Sequence, residues 1–227
     1  MPPPAPHLLL DTGSPIVSVA VAREGAVVAE RSVEQQRSSA LLLDLAQEAL
    51  AEAGIGVREL GGVAALRGPG SFTGLRIGLA TVLGLHQALG VPATALPTLQ
   101  ALAASAAAAE GEIVVAAVDA LRGEWSAQAF VAGTVSMPLG EMTLAPGPEL
   151  PRLAGGRPAA IVGFGISRLA GLSGLRLIEP ASLAPAAARL AAAPETEWDA
   201  RLLVSPLYSR PPAISAPRPR PLVAREA

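Results

Sequence analysis

A chain of 227 residues with a formal net charge of −2 has room for one large domain or two small ones, and lacks the basic excess expected of a folded surface devoted to nucleic acid. It is 51% hydrophobic but only 3% aromatic, so its core has to be built from Ala, Leu and Val. The absence of cysteine excludes disulfides and thiolate chemistry and is compatible with the cytosol, and no stretch of about twenty uninterrupted apolar residues suggests a membrane span.

Met1-Pro2-Pro3-Pro4 lacks the basic and apolar regions of a signal peptide. Leu8–Asp11 reads as a short buried strand, followed by a hairpin of Ile16–Ala22 and Ala26–Arg31 that turns at Arg23-Glu24-Gly25. From Ser38 to Ala53, Leu41, Leu42, Leu45, Ala46, Ala49, Leu50 and Ala53 recur at helical spacing until Gly54 stops them. Val63–Leu66 is the next strand and Leu75–Leu89 the next helix, stopped by Gly90. A short strand at Ala93–Ala95 and an Ala-rich helix over Thr98–Ala109 close this first section. The pattern then restarts. Ile113–Asp119 is apolar and ends in Asp, a hairpin follows (Trp125–Phe130, Thr134–Pro138), and Ile161–Gly163 and Arg176–Ile178 read as strands, with helices near Ile166–Ala170 and Ser182–Ala192.

Between the strand at Val63 and the helix at Leu75 lies the most informative stretch, Gly68-Pro69-Gly70-Ser71-Phe72-Thr73-Gly74. Strand, glycine loop and helix N-terminus together present backbone N–H groups to an anion, with Ser71 or Thr73 able to cap the helix. The same residues also suit a βα turn whose glycines serve only close packing. The loop is neither a Walker A loop, which needs a lysine that this chain lacks altogether, nor the Gly-x-Gly-x-x-Gly of dinucleotide sites.

Gly68 to Gly78, read through as Gly-Pro-Gly-Ser-Phe-Thr-Gly-Leu-Arg-Ile-Gly, resembles the signature of the TsaB family, partner proteins in threonylcarbamoyladenosine modification of tRNA. Leu8–Thr12 with Ser18–Ala20, Val118–Ala120 with Arg122–Glu124, Val162–Gly165 and Pro206–Arg210 agree with it in order and spacing. The resemblance implies a duplicated actin, Hsp70 and sugar-kinase-like (ribonuclease H-like) α/β fold with a degenerate second half. The halves would be residues 1–108 and 109–210, followed by a Pro/Arg-rich tail, 211–227, expected from composition to be disordered. It further implies a cytoplasmic, non-catalytic scaffold without cofactor or metal of its own. Its partners would be TsaD, TsaE through TsaD, a second copy of itself when alone, and tRNA indirectly, with no membrane. The transfer of a threonylcarbamoyl group to N6 of adenosine 37, and the use of ATP, would belong to the partner subunits. Relatives often carry His near the position of Arg37.

In that superfamily, acidic residues after the first strand of each half hold Mg²⁺ and phosphates. Asp11 and Thr12 occupy that place in the first half, Asp119 in the second, and Gly163 and Gly165 form a candidate adenine-side loop. Leu121 stands where a backbone cradle wants glycine, so the cleft reads as vestigial, and each Asp equally suits capping its own turn. An active ATP-dependent phosphotransferase is the alternative. A hydrolase or peptidase has less support, because no Gly-x-Ser-x-Gly elbow occurs, Ser71 has no base nearby, and Glu124 reads as a solvated residue opening a strand. The only histidines, His7 and His86, are far apart and offer no metal cluster.

Both N-terminal helices are apolar on more than one face, with Leu41, Leu42, Leu43, Leu45 and Leu50 on the first and Gly78, Ala80, Gly84 and Ala88 among large apolar residues on the second. Such helices must be buried on more than one side, either against a partner or wholly within the domain. The resemblance implies the partner, with Ser38, Leu41, Leu42, Leu45, Gly78, Leu79, Val82, Leu85 and His86 as its interface.

Overall fold

Strand β1 (His7–Asp11) is buried from end to end, because it has a strand on either side and helices over both faces. The computed structural model describes residues 2–34, 38–133, 135–156, 158–169, 171–172 and 174–210. β1 pairs antiparallel with β2 (Ile16–Arg23) and parallel with β4 (Gly62–Leu66). With β3 (Ala26–Glu34) and β5 (Ala93–Leu96) they form a sheet in the order β3-β2-β1-β4-β5. The second sheet repeats this order with β10 (Leu177–Ile178), β9 (Ala160–Val162), β6 (Ile113–Asp119), β7 (Glu124–Val131) and β8 (Met137–Pro146). Here too the hairpin strands are antiparallel and the inner pairings, β6–β9 and β9–β10, parallel. The duplicated actin and sugar-kinase-like plan is therefore present.

Alternation along β1 decides the layers. Leu8 and Leu10 face a cluster containing Leu42, Leu45, Leu79 and Val82, from helices α1 (Ser38–Glu52) and α2 (Phe72–Leu89). Leu9 points the other way, into a cluster with Leu102 of α3 (Thr98–Ser105) and Leu190 of α4 (Ala184–Ala192). That cluster also holds Val114, Ala116, Phe130 and Val162 of the second sheet, so α3 and α4 lie between the sheets and serve both. Full burial of one such Leu contributes about 1.5–3 kcal/mol. The outer face of the second sheet is covered differently. Val115, Ala127 and Ile161 pack on Leu150, Ile166 and Leu172, and the covering segments, Gly147–Ala154 and Ile166–Arg168, are 3₁₀ turns. Pro148 and Pro151 lack the N–H that an α-helix would use there. No α-helix covers that face among the described residues, which is what makes this half degenerate.

Several boundaries differ from expectation. α2 begins at Phe72 rather than Leu75, because Ser71 Oγ accepts the Gly74 N–H at 3.2 Å and caps it there. It ends at Gly90, whose φ of 70° closes the helix. α3 stops at Ser105 instead of Ala109, since Ala107 leaves the helical path at φ 46°. The helix expected over Ile166–Ala170 is one 3₁₀ turn, Ile166–Arg168. Arg37, Thr134, Ala170 and the tail 211–227 lie outside the described residues, as do the side chains of Ser38, Ser39 and Ala40. No helix among the described residues is long and apolar enough to cross a membrane.

Residues 109–210 are one unit in sequence but not in space. α4 packs on β1, β2 and β3 as well as on α3, and the 3₁₀ turn Ala200–Val204 packs on β5 and α2. Thr94 Oγ1 donates to Glu197 O at 2.7 Å, and the Trp198 ring lies 4.9 Å from His7. His7 Nε2 sits 2.9 Å from Pro3 O, and burial holds the His7 pKa below its ordinary value. The chain thus returns to the first half after α4, and this return shapes the site.

Candidate functional site

The signature loop is stitched to the β1–β2 turn by hydrogen bonds from both backbone and side chain. Ser71 N donates to Gly13 O at 2.8 Å, and Thr12 Oγ1 donates to Gly74 O at 2.7 Å. Gly68 N donates to Thr98 Oγ1 at 3.0 Å while Thr98 N donates back to Gly68 O at 2.9 Å. A Cβ added at Gly70 would lie 2.7 Å from Gly13 O, and one added at Gly13 would lie 2.6 Å from Leu75 Cδ2. Of the two readings left open for this loop, close backbone packing is the one whose contacts are in place.

Both aspartates are engaged in their own turns. Asp11 Oδ1 accepts from Gly13 N and Ser14 N, each at 3.1 Å, and Asp119 Oδ1 accepts from Leu121 N at 2.7 Å. Asp11 is buried, and desolvation pushes its pKa from 3.8 up to about 6 against the lowering effect of bonds from Ser14 and Gly13. The folded chain therefore holds this proton more tightly than the unfolded one. Stability declines as pH rises through the window from 3.8 to about 6 and stays lowered above it. At 1.36 kcal/mol per pKa unit the penalty is roughly 3 kcal/mol. Asp11→Asn keeps the Oδ1 acceptor and removes the charge. It should raise the thermal midpoint near neutral pH and give almost no advantage near pH ~4; a variant no more stable than the parent at neutral pH contradicts the assignment.

The turn after β6 bends without the glycine expected of a cradle. Leu121 (φ 66°), Arg122 (φ 60°) and Gly123 (φ 79°) are all left-handed, and Leu121 is 71% exposed. For the two non-glycine residues this conformation costs about 1–2 kcal/mol each. The turn faces the signature loop across a cavity of about 430 Å³, with Gly13, Ser14 and Ser71 on one wall and Asp119, Leu121 and Phe164 on the other. At Gly163 a Cβ would overlap Ala117 O, so this glycine permits the close approach of β9 to β6. Gly165, at φ 75°, opens the Ile166–Arg168 turn. His86 Nδ1 is paired with Val91 O at 2.7 Å.

Tyr208, Ser209 and Arg210 form the third side of the cavity. Leu207 N donates to Arg67 O at 2.7 Å. Arg76 Nε donates to Tyr208 OH at 3.1 Å, the Phe72 and Tyr208 rings are 4.8 Å apart, and the Arg76 guanidinium stands 3.9 Å above the Phe72 ring. Arg210 forms an ion pair with Glu124, so the glutamate expected to be merely solvated has a partner. Leu207 and Tyr208 are half-buried against the body.

The expected interface needs correction. Leu42, Leu45, Leu79 and Val82 are buried in the core of the first half, on the sides of α1 and α2 that cover their own sheet. Gly78 faces the same way, and a Cβ on it would overlap Thr12 Oγ1. Leu85 and His86 are half-buried, while Leu41 and Leu43 are exposed, at 38% and 57%. The outward side of α2 carries Thr73, Ala80, Gly84 and Ala88, all exposed, with Ile77 half-buried beside them. Arg76 is the one Asp, Glu, Lys or Arg residue on the helix. Counting from Leu75, Leu79 and Val82, which mark the buried side, positions 80, 84 and 88 fall opposite; that spacing was the available signal. Among the described residues no three His, Asp or Glu side chains gather as a metal site.

A protein-family model described as "TsaD: tRNA N6-adenosine threonylcarbamoyltransferase" matches residues 20–153. The chain is 35% identical over 118 residues to the tRNA threonylcarbamoyladenosine biosynthesis protein TsaB of Haemophilus influenzae, covering 52% of this chain and 50% of that protein. It is 34% identical over 118 residues to the protein of that name from Escherichia coli, covering 52% and 51%. The chain spans about half the length of the curated relatives it matches. Among solved structures, YeaZ from Pseudomonas aeruginosa superposes with a TM-score of 0.67 at 30% identity, over 83% of this chain and 90% of that one.

Proposed function

The chain belongs to the TsaB family, and we propose that it acts in threonylcarbamoyladenosine formation on tRNA as a non-catalytic scaffold that holds the transferase TsaD. TsaE joins through TsaD, ATP is consumed by those subunits, and the assembly works in the cytoplasm. The observation that carries this reading is the outward side of α2. A surface helix of a free-standing domain usually turns charged residues to water, whereas here Thr73, Ile77, Ala80, Gly84 and Ala88 form a small, nearly uncharged ridge. Small residues let a second helix backbone approach closely, which suits a partner helix or the same helix of a second copy.

The catalytic alternative has less support. In both Asp11 and Asp119 the Oδ1 atom already accepts from backbone N–H groups of its own turn, a structural role that does not depend on metal or phosphate. The test is reconstitution from purified subunits of one organism with unmodified tRNA. Modification should require this chain and should persist with Asp119→Ala. The isolated chain should show no appreciable ATP turnover. Turnover on the order of 1 s⁻¹ that vanished with Asp119→Ala would establish the phosphotransferase instead.

A further inference from the structure

We propose that Pro206–Arg210 is a latch that bridges the two halves and closes the cavity between them, with the Arg210–Glu124 ion pair as its releasable contact. Four observations carry this. The segment begins firmly: Leu207 N is bonded to Arg67 O at 2.7 Å, and its carbonyl occupies the space that a side chain at position 68 would need. Tyr208 is then held on the first half by Phe72 and Arg76. Two residues later Arg210 reaches Glu124, the first residue of β7, in the second half. Tyr208, Ser209 and Arg210 line the same cavity as Ser14 and Ser71 on one wall and Asp119 and Leu121 on the other. The segment therefore spans the mouth, and a group entering from this side has to displace it.

The fastening is graded. Beyond Leu207 the described contacts are made by side chains alone: one hydroxyl bond, one ring contact and one ion pair. The ion-paired groups are 34% and 41% exposed, so water and salt compete for them and the bond is weak. Within the described residues the strap thus hinges at Leu207, and its tie to the second half is the exposed ion pair at Arg210. The left-handed turn Leu121–Gly123 lies immediately before Glu124, so the ion pair ties the strap to the end of that turn. Opening of the latch widens the cavity without unfolding either sheet.

Thiol labelling tests this directly, because the chain has no cysteine of its own. A reporter placed by Ala120→Cys lies on the cavity wall, and its labelling by iodoacetamide, a neutral reagent, is followed in the full chain. Glu124→Gln and Arg210→Gln each break the ion pair but change local charge in opposite senses. Both should speed labelling about two- to fivefold, the size that an exposed ion pair supports, and Tyr208→Ala should speed it further. Added salt should accelerate the reporter in the parent and not in either glutamine variant, with thermal midpoints of all variants close together. Unchanged rates in both glutamine variants would overturn the latch. Acceleration by one and slowing by the other would also overturn it, since that pattern reports the thiolate's electrostatics rather than access.

Discussion

Gly78→Leu should lower the thermal midpoint of the isolated chain by roughly 10 °C, because residue 78 faces the interior. A Cβ at this position already overlaps Thr12 Oγ1, and the remaining leucine atoms would have to enter the space between α2 and the β1–β2 turn. Overpacking of this kind costs about 1–3 kcal/mol. Displacing Thr12 also breaks its 2.7 Å bond to Gly74 O, and the loss of one internal hydrogen bond costs about 0.5–1.5 kcal/mol more. For a chain of this size each kcal/mol moves the midpoint by about 2–4 °C. The signature loop should loosen with it, since Thr12 ties that loop to the first turn. A melt unchanged from the parent would place residue 78 on the surface and contradict the packing described.

Much of this architecture was legible from residue order. Leu8–Asp11 and Ile113–Asp119, each followed by a hairpin, announced the duplication, and the signature loop marked the strand-to-helix turn. The face of α2 was not legible in the same way. Gly78 and Gly84 look alike in a helix apolar nearly all round, and only the packing on Thr12 separates them: an added Cβ at Gly84 meets nothing within 4 Å. The roles of Asp11 and Asp119 stayed open for a related reason. A carboxylate that caps its own turn and one that holds a metal sit in the same kind of sequence, and the difference lies in which N–H groups reach it. The pairing of Arg210 with Glu124 was not legible either, because it joins residues far apart in the chain. In the second half, prolines and glycines blurred helical periodicity because they prevent the helices themselves, so the 3₁₀ turn at Gly147–Ala154 had no periodic signal to find.

The scaffold account depends on the other glycine. Gly84 is exposed in the interior of α2 with open space around it. In the monomer, Gly84→Ala should be neutral or stabilising by up to about 1 kcal/mol, the helix propensity that glycine forfeits, and Gly84→Leu should also fold normally. On a helix–helix contact the same leucine would hold the two backbones apart. A loss of 1.4 kcal/mol is already a tenfold loss of affinity, and the overpacking range reaches beyond it. The Ala80 and Ala88 positions, one turn either way, should respond in the same sense, whereas Gly78→Leu should weaken association only as far as it unfolds the chain.

Sedimentation velocity of the parent and of Gly84→Leu, each mixed with TsaD of the same organism and each with its own thermal melt, addresses the account most directly. The expected result is a complex with the parent, at least about tenfold weaker association for Gly84→Leu, and melting temperatures of the two chains that agree. Equal association of both chains with TsaD would contradict the assignment of the α2 ridge as the partner face.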